Sequence, residues 1–206
     1  MAYTPPKWQE EKNMKVFLVR HGESEGNKKQ VCFGQTDYEL TPQGIGHAKQ
    51  ARKKLESAEY TVCFTSKLCR ATKTAEIILE GSSVSIFKDA RLNEQFMGSF
   101  EDMDGASLTK LYPKEFDAMM QNWICNPPVD GETFEDMYCR VRSIVDEILD
   151  KGEDVLIVAH NGSLAMITTY LLGLPREAVN CFYFDYGSYS MIDIQSWGRR
   201  LRKFNS

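Results

Sequence analysis

An α/β domain built on a mostly parallel sheet is the architecture this sequence predicts, and two features carry the prediction. Short apolar runs at 15–20, 60–65 and 154–160 are rich in β-branched and aromatic residues and lack polar alternation, as strands covered on both faces require. Stretches with apolar residues at helical spacing lie between them, and strands that alternate with helices imply parallel neighbours joined by crossovers. At 206 residues, 42% hydrophobic and 26% charged, the chain suits one well-filled core, and a single domain over 1–206 is expected.

The elements follow in order. After the strand at 15–20 and a polar loop, Thr41 supplies an N-cap, Pro42 takes the first helical position, and Ile45, Ala48, Ala51 and Leu55 keep helical spacing. A second strand at 60–65 leads to Ser66, a residue able to cap a helix whose stripe is Leu68, Ala71, Ala75 and Ile78. A third strand is read at 83–87. Residues 89–105, aperiodic and carrying Gly98 and Gly105, read as an ordered loop, followed by helical pieces at 107–111 and 113–123. The run PPVDGET at 127–133 breaks the chain, and Thr133 with Asp136 resembles a capping box opening a helix with stripe Phe134, Met137, Val141, Ile144, Val145 and Ile148. A strand at 154–160, a helix at 162–172 and two closing strands, 181–186 and 189–195, around Gly187 complete the reading.

Composition excludes several classes of partner. A net charge of −4, with acid and base spread along the chain, offers no attraction to nucleic acid or anionic lipid. The first residues have no apolar signal region and no run reaches the roughly 20 apolar residues of a membrane span, so a cytoplasmic protein is expected. Six scattered cysteines show no metal-site spacing and are expected to be reduced. The basic segment 197–203 reads as a solvated terminal strand in preference to a flap over an anion site.

Ligands in such sheets bind outside the carboxyl ends of the strands. Of three histidines, His21 and His160 occupy equivalent places, in VFLVRHG and VLIVAHNG, each directly after a strand. Parallel neighbours would deliver both imidazoles to one sheet edge. His47 lies on its helix away from Ile45 and reads as a solvated surface histidine. Arg20 precedes the first histidine; Arg70 sits in the first turn of its helix, opposite the apolar stripe, where it is either an exposed helix arginine or aimed at the strand-end crevice. Two arginines and two histidines beside helix-opening N–H groups make an anion pocket suited to a phosphoryl group. A neutral imidazole can attack phosphorus and split hydrolysis into two easier steps. Glu94 is the candidate for moving the proton, with Asp89, Glu101, Asp102 and Asp104 as competitors. No cysteine is followed six positions later by arginine and no GxxxxGK[ST] cradle occurs.

At this level of detail the chain resembles the histidine phosphatase superfamily, phosphoglycerate mutase-like branch, from residue 15 to about 185. Five segments carry the likeness in the family's order: LVRHGESEGN, FGQTDYELTPQG, TSKLCRATKTA, RLNEQFMGSFE and VAHNG. The resemblance implies a three-layer α/β/α sandwich with a mostly parallel central sheet, His21 as the phosphorylated nucleophile, Arg20, Arg70 and His160 as the phosphate pocket, and Glu94 as proton donor. It also implies Asn27, Gly34 and Asn161 lining the phosphoryl or substrate site, no metal and no cofactor, an N-terminal extension at 1–13 and a substrate-capping insertion at 95–133. Departures from the family pattern are Gly26 where tryptophan is frequent, Phe33 at a frequently polar position, Asn161 at a common glycine position and Phe100-Glu101-Asp102 for Trp-Glu-Gly.

The compact stretch from Glu94 to His160 and the segment PVDGETFEDMYCR resemble phosphatases more than mutases that use a bisphosphorylated cofactor. A phosphomonoesterase acting on a small organic ester is expected, similar to the broad-specificity and α-ribazole phosphate phosphatases. A cofactor-dependent mutase and a non-catalytic phospholigand-binding module are the alternatives, and a homodimer is the oligomer considered. Phe96, Met97, Phe100, Phe116, Met119, Met120 and Trp123 are offered either as a leaving-group site or as core contacts.

Overall fold

The computed structural model describes residues 13–206, so all but the last residue of the expected N-terminal extension lies outside the described residues. Along the chain come β1 (Met14–Arg20), α1 (Glu25–Lys29), β2 (Val31–Cys32), α2 (Pro42–Lys54), β3 (Val62–Thr65), α3 (Cys69–Ile78) and β4 (Ser85–Lys88). These are followed by β5 (Met103–Asp104), α4 (Gly105–Leu111), α5 (Pro113–Gln121), α6 (Phe134–Lys151), β6 (Val155–Ala159), α7 (Asn161–Leu171), β7 (Ser190–Gln195) and β8 (Gly198–Lys203).

The main sheet has the order β4-β3-β6-β1-β7-β8. Strands β4, β3, β6 and β1 are parallel, and β7 and β8 close one edge as an antiparallel pair. Alternation along the central strands builds two cores. Val16 and Leu18 of β1, with Val155 and Ile157 of β6, face the stripe of α6 and residues Leu164 and Ile167 of α7. Phe17 and Val19, with Leu156 and Val158, face Ala51 and Leu55 from the α2 side and Ala75 and Ile78 of α3. Helices therefore cover both faces, giving the three-layer α/β/α sandwich. Burying one such Leu or Ile stabilises the fold by about 1.5–3 kcal/mol, which is why uninterrupted apolar strands occur only where both faces are covered.

Local signals set the helix ends. Thr41 Oγ1 accepts from Gly44 N at 3.0 Å and Thr133 Oγ1 from Asp136 N at 3.1 Å, while Gly152 ends α6 in the left-handed region at φ 65°. Three expectations are corrected. The segment 181–186 is not a strand: a 3-10 turn, Arg176–Cys181, runs into irregular chain, and the closing hairpin pairs β7 with β8. Helix α3 starts at Cys69, with Leu68 in the cap position, so Ser66 does not cap it. The polar loop after β1 holds the five-residue α1, capped by Ser24. The basic segment 197–203 does fall mainly in the terminal strand β8.

Segment 95–133 folds into β5, α4, α5 and a 3-10 turn, Gly98–Phe100, around its own buried cluster of Phe100, Leu108 and Met119. Its β5 pairs with β2, beside the strand-end loops of the main sheet. Among the described residues no helix is long and apolar enough to cross a membrane.

Candidate active site

Sheet register brings the two strand-end histidines together. Arg20 lies opposite Ala159 in the β1–β6 pair, so the next residues on the two strands, His21 and His160, become neighbours. His21 N donates to Ala159 O at 3.0 Å, and the imidazole centroids are 5.0 Å apart. Gly22 then turns the chain sharply against α2: a Cβ there would stand 2.2 Å from Gly44 O, so only glycine fits.

Hydrogen bonding fixes the tautomer of His21. The Gly22 carbonyl, 2.7 Å from His21 Nδ1, can only accept, so Nδ1 carries the proton and Nε2 keeps its lone pair. His160 Nε2 lies 2.7 Å from Ser66 Oγ, while Leu68 N donates to the same oxygen at 3.3 Å. With one lone pair of Ser66 Oγ taken by Leu68 N, the hydroxyl can donate to His160 Nε2, an arrangement that places the N–H of this ring on Nδ1. That Nδ1 is buried and has no partner among the described residues. Burial first, then the Arg70 cation, hold both histidines well below the usual value of 6.5; Arg20 acts on both and His21 on His160. Both rings are neutral near pH 7.

Arg70, expected either exposed or aimed at the crevice, is 1% exposed. Its Nη1 donates to Thr36 O at 3.0 Å and its Nη2 to Gly34 O, with the Phe33 ring 4.9 Å from the guanidinium carbon. Arg20 donates to Phe184 O and Tyr186 Oη, both at 3.0 Å, with its guanidinium over the Tyr186 ring. The Nε of each arginine is buried without a partner among the described residues. A cavity of about 270 Å³ is lined by Arg20, His21, Asn27, Phe33, Arg70, Glu94 and Asn161 among others.

Glu94 Oε2 accepts from Gly162 N at 2.9 Å, in the first turn of α7, and Oε1 accepts from Gln95 N at 3.1 Å. The competing carboxylates are engaged elsewhere. Asp89 pairs with Arg91, Asp104 caps α4 through Ser107 N, Asp102 accepts from Tyr38 Oη, and Glu101 accepts from the loop at 34–36. Asn27 Oδ1 is held by Ser24 N and Ser24 Oγ, and Asn161 Oδ1 accepts from Phe184 N; both residues line the cavity. Gly34 is not among the lining residues: its carbonyl holds Arg70 and its N–H is bound by Glu101.

A second cavity of about 410 Å³ adjoins the first through Phe33, Glu94 and Asn161, and adds Met97, Trp123, Phe182 and Tyr183 to its lining. Of the seven apolar residues proposed for a leaving-group site, only Met97 and Trp123 line it. Phe100 and Met119 are core, Phe116 packs on that core, and Phe96 and Met120 are exposed. Gly26 follows from Phe33: a Cβ at position 26 would stand 2.5 Å from the Tyr38 ring and 2.8 Å from the Phe33 ring, which fill the space a larger residue would need. A larger cleft of about 890 Å³ opens at the other end of the sheet, where Thr61 and Asp154 precede β3 and β6, away from this chemistry.

The model of the histidine phosphatase superfamily (branch 1) matches residues 16–206. The chain belongs to the histidine phosphatase superfamily. Its relatives include an adenosylcobalamin/alpha-ribazole phosphatase of Salmonella typhimurium strain LT2, 32% identical over 195 residues and covering 94% of this chain and 96% of that protein. A phosphoglycerate mutase of Schizosaccharomyces pombe is 36% identical over 174 residues, covering 80% and 82%. The crystal structure of the alpha-ribazole phosphatase from Shigella flexneri superposes with a TM-score of 0.89 at 29% identity, covering 94% of this chain and 96% of that one.

In this histidine phosphatase superfamily member several supporting residues escaped sequence reasoning. Ser66, predicted as a helix cap, instead touches His160. His47, read as a solvated surface residue, is partly buried, stacks on Tyr186 at 5.3 Å and accepts from Glu23 N at 3.4 Å. Arg140 donates to the carbonyls of Arg91, Asn93 and Glu94 and pairs with Glu132, fixing the backbone that carries Glu94.

Proposed function

We propose that the chain is a phosphomonoesterase that passes the phosphoryl group of a small organic ester first to Nε2 of His21 and then to water. The observation that carries this reading is a set of three buried nitrogens without partners among the described residues, Arg20 Nε, Arg70 Nε and His160 Nδ1, on two arginines that line the His21 cavity and on a histidine whose ring stands 5.0 Å from that of His21. Buried donors are nearly always paired, so three together mark where an anion is to be bound. In the first step the Nε2 lone pair attacks phosphorus, the ester P–O bond breaks, and the Glu94 carboxyl protonates the departing alkoxide. The Gly22 carbonyl, accepting from Nδ1–H, steadies the positive charge the ring acquires. In the second step the Glu94 carboxylate takes a proton from water, the hydroxide attacks phosphorus, the P–N bond breaks, and His21 is neutral again. Arg20, Arg70 and His160 stabilise the equatorial oxygens throughout. Asn27 and Asn161 border the substrate, and Gly34 acts through Arg70.

The adjoining cavity receives the leaving alcohol. Phe33, Trp123, Phe182 and Tyr183 suit a flat apolar ring, and segment 95–133 serves as a cap by contributing Met97 and Trp123. A mutase must also hold the carboxylate or second phosphate of a phosphoglycerate, whereas this cavity is lined by Glu94 and, among the described residues, by no lysine or arginine. That favours hydrolysis. The names of the Salmonella and Shigella relatives make an α-ribazole phosphate the first ester to test. Six unpaired thiols suit a cytoplasmic setting.

A panel of phosphomonoesters, assayed with a chelator and with or without 2,3-bisphosphoglycerate, tests this reading. Expected are chelator-insensitive phosphate release, a higher kcat/KM for aromatic ring-bearing esters than for phosphoglycerates, and loss of turnover in His21→Ala. Bisphosphoglycerate-dependent interconversion of phosphoglycerates without phosphate release would make it a mutase instead, and tight phosphate binding without turnover a binding module.

A further inference from the structure

Glu101 lines neither active-site cavity, yet its carboxylate accepts six hydrogen bonds. Oε1 accepts from Gly34 N at 3.1 Å, Gln35 N at 2.9 Å and Met97 N at 3.0 Å. Oε2 accepts from Gly34 N at 3.1 Å, Thr36 N at 3.0 Å and Thr36 Oγ1 at 2.6 Å. Successive N–H groups of 34–36 therefore point at one carboxylate, an arrangement that backbone adopts around an anion. The carbonyls of the same loop face the other way: Gly34 O and Thr36 O hold the two Nη atoms of Arg70. The loop continues to Asp37, whose Oδ1 accepts from Cys69 N at the start of α3. Glu101 and Arg70 thus grip opposite sides of one short turn.

The fit leaves no slack. A Cβ at Gly34 would stand 1.5 Å from Gln95 O, so the turn lies directly against the chain that carries Glu94. With both Nη atoms anchored on the turn, the direction of the buried, partnerless Arg70 Nε is set by where those carbonyls stand. Their position is set in turn by the N–H groups that Glu101 holds.

We propose that Glu101 is a positioning residue that aims the Arg70 guanidinium at the phosphoryl group through the 34–36 turn. The proposal rests on the phosphatase reading, because it takes Arg70 to bind the phosphoryl group. In Glu101→Gln an amide N–H₂ faces the turn's N–H donors where an oxygen accepted, so the turn shifts and Arg70 loses its aim. Glu101 touches no reacting atom, and its whole effect on phosphate passes through Arg70.

A double-mutant cycle tests this, with inhibition by inorganic phosphate and turnover of p-nitrophenyl phosphate measured for wild type, Glu101→Gln, Arg70→Ala and the double variant. Glu101→Gln is expected to weaken phosphate inhibition roughly tenfold, and to change it less than about twofold when Arg70 is already alanine, as coupling through one partner requires. Losses that multiply in the double variant, or an unchanged phosphate Ki in folded Glu101→Gln, would overturn the proposal. If Arg70→Ala itself leaves phosphate inhibition unchanged, the phosphate-pocket reading fails first. Should Glu101→Gln not fold, Thr36→Val removes one donor to Glu101 while keeping the branched shape; it must show a smaller loss that also vanishes in the Arg70→Ala background. A loss that persists there contradicts the proposal.

Discussion

The two buried histidines make stability depend on pH in a direction the structure fixes. His21 is 3% exposed and His160 fully buried, and burial with the neighbouring arginines lowers the affinity of both rings for a proton well below the ordinary value of 6.5. The unfolded chain takes up protons near pH 6.5 that the folded chain refuses. Their contribution is therefore complete above about pH 6.5 and is lost as the pH falls below it. If both rings stay neutral in the fold down to pH 5.5, each contributes a loss of slightly over 1 kcal/mol between pH 7 and 5.5, or about 2–3 kcal/mol for the pair. For a chain of this size that lowers Tm by roughly 5–10 °C. Thermal unfolding in phosphate-free buffer at the two pH values, for wild type and His21→Asn, isolates the effect. The variant, with one such ring fewer, should lose about 1 kcal/mol less on acidification. An equal loss in both proteins would refute the view that His21 is buried neutral.

Other substitutions separate the remaining roles. Ser66→Ala leaves His160 Nε2 without its partner and frees the ring to place its proton on the wrong nitrogen; kcat/KM should fall about tenfold or more, with about 1–3 kcal/mol lost in denaturant unfolding. Retained activity would show that the hydroxyl does not govern the tautomer. In Glu94→Gln, kcat for alkyl phosphates, whose alkoxides need a proton, should drop by about 10²–10⁴. The loss for p-nitrophenyl phosphate, whose leaving group departs unaided, should be markedly smaller in the first step, seen as a burst of nitrophenolate. Equal losses in that step for both ester types would remove Glu94 from the proton donor's place.

Much of the layout was legible because burial on both faces leaves a plain mark. β1 and β6 are apolar at every central position since helices cover each side, and their ends place His21 and His160. The α6 stripe was equally plain. Burial of Arg70 was not, because a position opposite an apolar stripe normally meets solvent; here it meets the 34–36 turn, a contact made by chain distant in sequence. The five residues of α1 carry no apolar period, although the Ser24–Asn27 reciprocal cap was there to be read. Segment 181–186 looks like a strand by composition, but its aromatic residues serve the site: Phe182 and Tyr183 line the second cavity, and Phe184 and Tyr186 hold Arg20. Propensity cannot separate packing against a ligand cavity from packing in a sheet. The part played by Glu101 left no local trace, since its donors come from two loops brought together only by folding.

The central claim, that phosphate passes through His21 Nε2, is tested most directly by trapping the intermediate. Rapid mixing with a ³²P-labelled ester, quenching in alkali and mapping the label should show a transient, base-stable and acid-labile phosphoryl group on the peptide containing His21. The label should rise before phosphate is released and be absent from His21→Ala. Label on any other residue, or phosphate released as fast by His21→Ala as by wild type, would contradict the account.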